Sequence, residues 1–343
     1  MQREITQRIP LLTSKGLVNQ PGYARKPYWT YDRLDIRASS YRIKEWDYYC
    51  VMSPDFGLAL TVADNGYMGL DSITLFDFVN KTEITKSFMQ AFPMGKKKLP
   101  FSSLKGDVIV KAKAYNLAFT HVGNARVLDV CVKNFSGNQT LKANLKLSEE
   151  PRDSLVIATP FHKKYHFYYN HKITGYRASG DITLGSTVMK VEPNESFAVL
   201  DWGRGVWTYS NTWYWANAAG MQGNHLVGLN LGYGFGDTSA ATENMIFVDG
   251  IGHKLTDVRF EIPLDESGKE KYLEPWRFTS SDNRLTLDFQ PILDRNSNTK
   301  VLFLQSDQHQ VFGEFSGTLV LDDGSVLTIH NLRGFAEKVM NRW

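Results

Sequence analysis

Cysteine is almost missing from the 343 residues: Cys50 and Cys131 are the only two. They stand far apart, with no CxxC pair and no metal-ligand spacing around them, so a disulfide framework is excluded and both read as buried thiols. The eight histidines are scattered and no HExxH run occurs, so no metal is expected. The nucleophile-elbow pattern GxSxG and the phosphate-binding P-loop are absent, and GYGFG (232–236) lacks the strand-then-helix setting of a dinucleotide site. Hydrolase, kinase and dehydrogenase chemistry therefore lose ground, and no cofactor is expected.

Charge of one sign is also scarce. The 39 basic and 36 acidic residues give a net charge of +3, and Lys96–Lys98 is the only basic run. That is too little for a nucleic-acid footprint, and the run reads as a solvated loop. No apolar run approaches the length of a membrane span. The opening MQREITQRIPLL lacks the apolar core and cleavage site of a signal peptide, which implies a cytoplasmic protein.

What the chain does contain is strand. EWDYYCVMS and GLALTVADNGYMGLDSITLFDF alternate around the hairpin signal Asn65-Gly66, and Gly123-Asn124, Ser136-Gly137-Asn138 and Asp323-Gly324 punctuate further runs. KLTDVRFEIP, WRFTSS, RLTLDFQPIL and VLFLQS follow as strands, and only the end, from about Leu332, suggests a short helix. Many short strands with regular turns imply an all-β protein of sandwiches or antiparallel barrels. At this length two domains are expected, divided near Pro193-Asn194: residues 1–195, with a lead-in arm that packs on something else, and residues 196–343.

Val199–His253 differs from its surroundings. It holds four of the eight Trp and ten of the 27 Gly, and Arg204 is its only Lys or Arg against Asp201, Asp237, Glu243 and Asp249. Val227, Leu229, Leu231, Tyr233 and Phe235 alternate with Gly228, Asn230, Gly232, Gly234 and Gly236, a strand with one bulky and one bare face. The bare face admits two readings, approach of a ligand or close packing of another backbone. Asp201 with Glu243 or Asp237 supplies two carboxyls for acid–base work. Arg204 either tunes Asp201 or merely forms a buried ion pair with it. Trp207, Trp213 and Trp215 offer flat apolar walls, the last two on one strand face, with Asn230, Tyr233, Asp237, Asn244 and His253 as further contacts. Each has a structural alternative: Trp202 and other strand aromatics as core, Asp237 as a turn cap, His253 as a satisfied structural histidine.

The run FYYNHKITGYRASGDITLGSTVMKVEPNESFAVLDWGRGVW resembles the junction between the two lipocalin-like barrels of the carotenoid 1,2-hydratase and AttH-like superfamily. DWGRGVW, WYWANAAG, NLGYGFGDTSAATEN and DGIGHKL, with EWDYY and GEFSGTLVLDDG, are more closely similar to a bacterial family catalogued as domain of unknown function 2804, and this similarity spans nearly the whole chain. The resemblance implies two tandem calycin-type barrels facing each other. It also implies the chemistry of relatives that protonate an alkene with a buried Asp, matched here at Asp201, whereas Arg204 departs from their pattern. Three functions are therefore expected in competition: an acid–base hydratase, isomerase or cyclase acting on a hydrophobic or partly hydroxylated small molecule; a lipocalin-like carrier without chemistry; and a carbohydrate-active enzyme with paired carboxylates. The expected partner is a small molecule, apolar or glycosidic, and the oligomeric state stays open.

Overall fold

The computed structural model describes residues 2–301 and 304–342. Nearly every element is an extended strand, arranged as two curled antiparallel half-barrel sheets in tandem. The first has a ten-strand path that runs, from edge to edge, through Thr82–Ala91, Met68–Asp77, Phe56–Asp64, Lys44–Met52, Phe197–Val206, Phe167–Leu184, Gln139–Ser148, Ala125–Ser136, Tyr115–Val122 and Val108–Lys111. The second has nine strands, in the order Ile251–Lys254, Met245–Val248, His225–Tyr233, Ser210–Gln222, Val326–Arg342, Leu304–Val320, Leu285–Val301, Trp276–Ser280 and Val258–Glu261. The Asn65-Gly66 turn joins two strands as expected, because Gly66 takes a φ of +79° that a side chain at that position would resist.

Two expectations are corrected. The strand Phe197–Val206, which carries Asp201-Trp202-Gly203-Arg204, belongs to the first sheet rather than the second: it pairs with Lys44–Met52 on one edge and Phe167–Leu184 on the other. The second sheet begins at Ser210, one strand later than the expected boundary at 195/196. The C-terminal segment is not helical from Leu332. Val326–Arg342 is one strand held between Ser210–Gln222 and Leu304–Val320, and hydrogen bonding on both edges overrides its local propensity. The expected VLFLQS strand includes Leu302 and Phe303, which lie outside the described residues, as do Met1 and Trp343; Val301 and Leu304–Ser306 on either side are strand.

Each sheet has its own interior. That of the first contains Leu58, Leu60, Leu128, Leu145, Ile173 and Trp202, closed by Leu11, Leu12, Trp29 and Tyr31 of the arm, which packs as expected. The second is filled by Leu229, Leu231, Trp276, Phe278, Phe289 and Phe315. Between the sheets runs a third apolar layer, the seam, where Tyr48, Cys50, Phe76, Phe78 and Val199 of the first sheet meet Trp215, Phe312 and Phe335 of the second. Because strand side chains alternate, each seam strand sends every second residue into the seam and the others into its own barrel.

Phe312 sits at the middle of this layer, its ring centroid 4.2 Å from that of Phe76 and 5.6 Å from those of Phe78 and Phe335. Phe312→Ala is expected to lower stability by about 3–5 kcal/mol, as large-to-small core changes do. Urea unfolding followed by tryptophan fluorescence should still give one transition if the seam couples the sheets. A variant within about 0.5 kcal/mol of the parent, the range of an uninvolved surface change, would remove Phe312 from that role.

Candidate functional site

The polar groups of the seam lie where three adjacent strands of the first sheet face the second. Register places Lys172 directly opposite Asp201, with Tyr48 on the other side. Lys172 Nζ lies 3.0 Å from Asp201 Oδ1, the same oxygen accepts from Asn170 Nδ2, and Trp46 Nε1 donates to Oδ2 at 2.9 Å. Asp201 is thus buried and ion-paired as expected of a sheltered carboxyl, with Lys172 as its cation. The ammonium of Lys172 also lies 4.0 Å from the centroid of the Trp215 ring, a cation–π contact across the seam.

Gly203 explains part of the DWG motif. A Cβ built there would stand 1.9 Å from Cζ2 of Trp46, so the indole lies flat over bare backbone while Asp201 holds its N–H. Trp46 in turn packs 5.3 Å from Trp207, which packs 5.3 Å from Phe235, and Tyr168 and Trp213 close on Phe235 at 4.8 and 5.3 Å. Phe235 and these four aromatic side chains thus form a cluster beside Asp201.

Two further carboxyls enter from the second sheet. Glu337, on Val326–Arg342, accepts from Trp213 Nε1 at 2.8 Å and from Gln310 Nε2 at 3.1 Å. Burial pushes its carboxyl up to about 7; the Trp213 hydrogen bond and Lys172 oppose this, and the negative charge of Asp201 adds to it. Burial likewise pushes Glu243 up to about 7, against Lys172 and Lys254 and with Asp201. Among the described residues, neither the Glu243 carboxyl nor the Tyr168 hydroxyl makes a hydrogen bond, although both residues are only 5% exposed. Tyr168 is electrostatically coupled to Glu243, Asp201 and Glu337, and burial drives its phenol well above the ordinary value.

Several expected site residues are placed differently. Arg204 does not pair with Asp201: three residues along a strand puts them on opposite faces. Its guanidinium lies inside the first barrel, 3.0 Å from Asp47 Oδ1, and donates to the carbonyls of Trp46, Gly203 and Pro100. Tyr233 faces the interior of the second barrel, stacked on Tyr214 at 4.5 Å. Asp237 caps its turn by accepting from the Ser239 N–H at 3.0 Å, and it is exposed. Asn244 is consumed in structure, accepting from Gly232 N–H and donating to Thr256 O. His253 Nδ1 lies 3.3 Å from Asp322 Oδ2 and accepts from the Asp322 N–H, so its ring is engaged by the loop around Asp322. Asn230 is in the seam, accepting from Trp215 Nε1 and donating to Glu243 O, and Asn217 hydrogen-bonds to Thr174 across the seam.

The glycine face of His225–Tyr233 does turn toward the first sheet, but it is occupied: a Cβ at Gly228 would meet Thr174 Cγ2 at 3.0 Å, and one at Gly232 would meet Glu243 Cδ at 3.1 Å. Close packing is what these glycines serve. The cleft of about 570 Å³ lined by Tyr272, Asp294, Asp307 and His309 lies elsewhere, at an end of the second barrel. Lys172, Glu337, Tyr168, Asn170, Trp46 and Gln310 escaped the sequence reading. Lys172 carried one signal, a cation within the apolar and aromatic run FYYNHKITG.

The fold is thus a tandem pair of lipocalin-like half-barrel sheets that meet at a seam carrying buried charged groups. The chain belongs to the family described as domain of unknown function (DUF2804), whose model matches residues 2–343. Among solved structures it is similar to an AttH-like protein from Nitrosomonas europaea, at 12% identity over 92% of this chain and 98% of that one, with a TM-score of 0.53. It is also similar to CghA, at 11% identity, 98% and 97% coverage and a TM-score of 0.46. A third is kievitone hydratase from Nectria haematococca, at 9% identity, 88% coverage of each chain and a TM-score of 0.44. No curated protein matches the sequence significantly. No helix among the described residues is long and apolar enough to cross a membrane.

The raised carboxyls fix a pH dependence. Below the ordinary value of 4.5 both folded and unfolded chains hold the proton on Glu243 and Glu337; between 4.5 and about 7 only the folded chain does. Stability contributed by these groups therefore falls as pH rises through that window and is level above it. Glu243→Gln with Glu337→Gln should flatten the slope, with a gain at pH 8 relative to pH 4 of roughly 3 kcal/mol per carboxyl. Thermal melts across pH read this directly, and an unchanged slope in the double variant refutes the burial argument.

Proposed function

We propose that the chain is an acid–base enzyme of the hydratase, isomerase or cyclase type, acting on an apolar or partly hydroxylated small molecule at the seam. The observation that supports it is Glu243: a buried carboxyl that titrates near neutrality and has no hydrogen-bond partner among the described residues, beside the Lys172–Asp201 ion pair. A group with a pKa near the working pH is best placed both to give and to take a proton. Glu243, protonated, acts as the acid toward an alkene or carbonyl carbon, and the unpartnered Tyr168 hydroxyl orients the substrate. Positive charge developing on the substrate is met by the Asp201 carboxylate and by the π faces of Trp46, Tyr168 and Trp213. Glu337, with its carboxyl also near 7, is the complementary group that takes a proton back or activates water.

Asp201 itself serves better as a fixed charge than as the proton donor. Its two oxygens already accept from Trp46, Asn170 and Lys172, so it holds the indole and the ammonium in place. The carrier alternative is weakened by the contents of the barrels, since both interiors are filled by the chain's own side chains.

The test is a panel of polyenes, terpenoids and enones incubated with the protein in deuterated buffer and read by mass spectrometry. The parent protein should incorporate deuterium into at least one compound. Glu243→Gln should abolish this, while Asp201→Asn should slow it by about 100-fold or more through loss of a buried electrostatic contact. Equal labelling by the parent and Glu243→Gln, with the fold intact by circular dichroism, refutes the assignment.

A further inference from the structure

A group of exposed apolar side chains lies away from the seam, on the segment 92–106 that follows the edge strand Thr82–Ala91 and on the neighbouring Arg33–Asp35 turn. Leu34, Phe92, Met94, Phe101 and Leu104 are each at least 39% exposed. The segment and the Arg33–Asp35 turn lie together: a Cβ at Gly95 would stand 2.8 Å from Arg33 Nε, and the Phe101 ring packs 6.0 Å from Tyr31. From Ile84 to Gly106 there is no Asp or Glu, while Lys86, Lys96, Lys97, Lys98 and Lys105 are present. Lys97 is turned inward to Asp71 at 2.5 Å, whereas Lys96, Lys98 and Lys105 point to solvent.

This segment is pinned from beneath rather than loose. Pro93 and Leu99 are buried, the Gly95 N–H donates to Asp64 Oδ2 at 2.8 Å, and Pro100 O accepts from Arg204 at 2.9 Å. Phe92, Met94 and Lys98 nevertheless hold left-handed backbone, with φ of 48°, 47° and 52°. Non-glycine residues adopt that conformation at a cost and keep it only where the surroundings enforce it. The result is a fixed platform that pushes apolar side chains outward among cations, where folding alone would have turned them in.

The structure assigns this platform as a docking surface for an anionic lipid bilayer: Phe92, Met94, Phe101 and Leu104 enter the interface while Lys96, Lys98 and Lys105 meet the headgroups. Apolar side chains interspersed with lysines, in a stretch without Asp or Glu from 84 to 106 and with Asp35 on the adjoining turn, complement the charged headgroup layer over an apolar interior. An acidic protein surface would meet the lysines but leave the outward phenylalanines in water. The Arg204–Pro100 hydrogen bond ties the platform to the strand that carries Asp201, on the face turned away from the seam. This assignment stands apart from the acid–base reading and survives or fails without it.

Flotation with phosphatidylcholine vesicles, with and without phosphatidylglycerol, is the test. The full chain should float with the anionic vesicles and not with the neutral ones, and added salt should release it. Lys96→Gln with Lys98→Gln should lower the partition coefficient roughly 30-fold, two increments of the usual effect of one lysine near an anionic surface. Phe92→Ser with Phe101→Ser should abolish flotation at unchanged net charge. All four positions are exposed, and circular dichroism checks the fold. The assignment is overturned if the parent chain ignores anionic vesicles, or if both double variants float as it does. It is equally overturned if the phenylalanine variant turns a dimer into a monomer on gel filtration while the parent ignores vesicles, which would make the patch a subunit interface.

Discussion

The strand Phe197–Val206 is buried along its entire length on both faces, and this double burial governs the rest of the structure. A strand that is a wall of two compartments cannot place a polar side chain anywhere without a partner, because each unpaired group loses its hydration for nothing. Its two charged residues, Asp201 and Arg204, have opposite parity and therefore fall into different compartments, where each demands counter-charges from neighbouring strands. Lys172 and Asn170 answer Asp201 in the seam; Asp47 and Glu45 answer Arg204 in the first barrel. The neighbours' sequences, NHK and EWD, are charged in otherwise apolar strands for this reason.

Both compartments answer those demands through networks, and each leaves some buried polar atoms unpaired among the described residues. Inside the first barrel the network is dense: Glu45 takes Arg33 and Tyr31, while Arg126 takes Tyr176, Tyr49 and Ser103. His171 sits between Ser103 and Ser154 and is kept neutral, its pKa lowered to about 3 by burial and by Arg126. Such a network rigidifies, even with Arg204 Nε and Trp202 Nε1 left without a hydrogen bond among the described residues. In the seam Asn170 Oδ1, Asn217 Oδ1 and Trp207 Nε1 are buried without a hydrogen bond among the described residues, and unsatisfied buried groups are costly enough that their retention calls for a role.

How much of this was legible from residues alone follows from what period-two patterns can carry. The all-β class, the hairpin at Asn65-Gly66 and the parity of Trp213 and Trp215 against Tyr214 are local, and they emerge in the structure as read. The pairing of Asp201 with Lys172 is a matter of register between strands about thirty residues apart, which the resemblance located as a junction without naming partners. Arg204 was joined to Asp201 by nearness in sequence, although alternation alone sends them apart. The last strand reads as helix because FAEKVMNR has helical residues, and only the two neighbouring strands make it extended. Glycines at 228 and 232 are legible as a bare face, but Thr174 reaches Gly228 from a strand of the other sheet and Glu243 folds back over Gly232 from the following loop.

The aromatic cluster decides how the seam could work. Trp46 is held by Asp201 through its N–H and by the space over Gly203 through its ring, so a single side chain links the fixed charge to the wall formed by Trp207, Phe235 and Tyr168. Rings in edge contact at about 5 Å fill space efficiently, which favours a closed seam until a substrate replaces one of these contacts with its own apolar surface. A flat or unsaturated substrate offers that exchange at the smallest loss, since it restores ring contact as it enters. Exclusion of water then strengthens the field of Asp201 and Lys172 at the point where Glu243 would deliver its proton. On the proposed acid–base reading, the same packing that secures the fold would thus set the kind of molecule the seam admits.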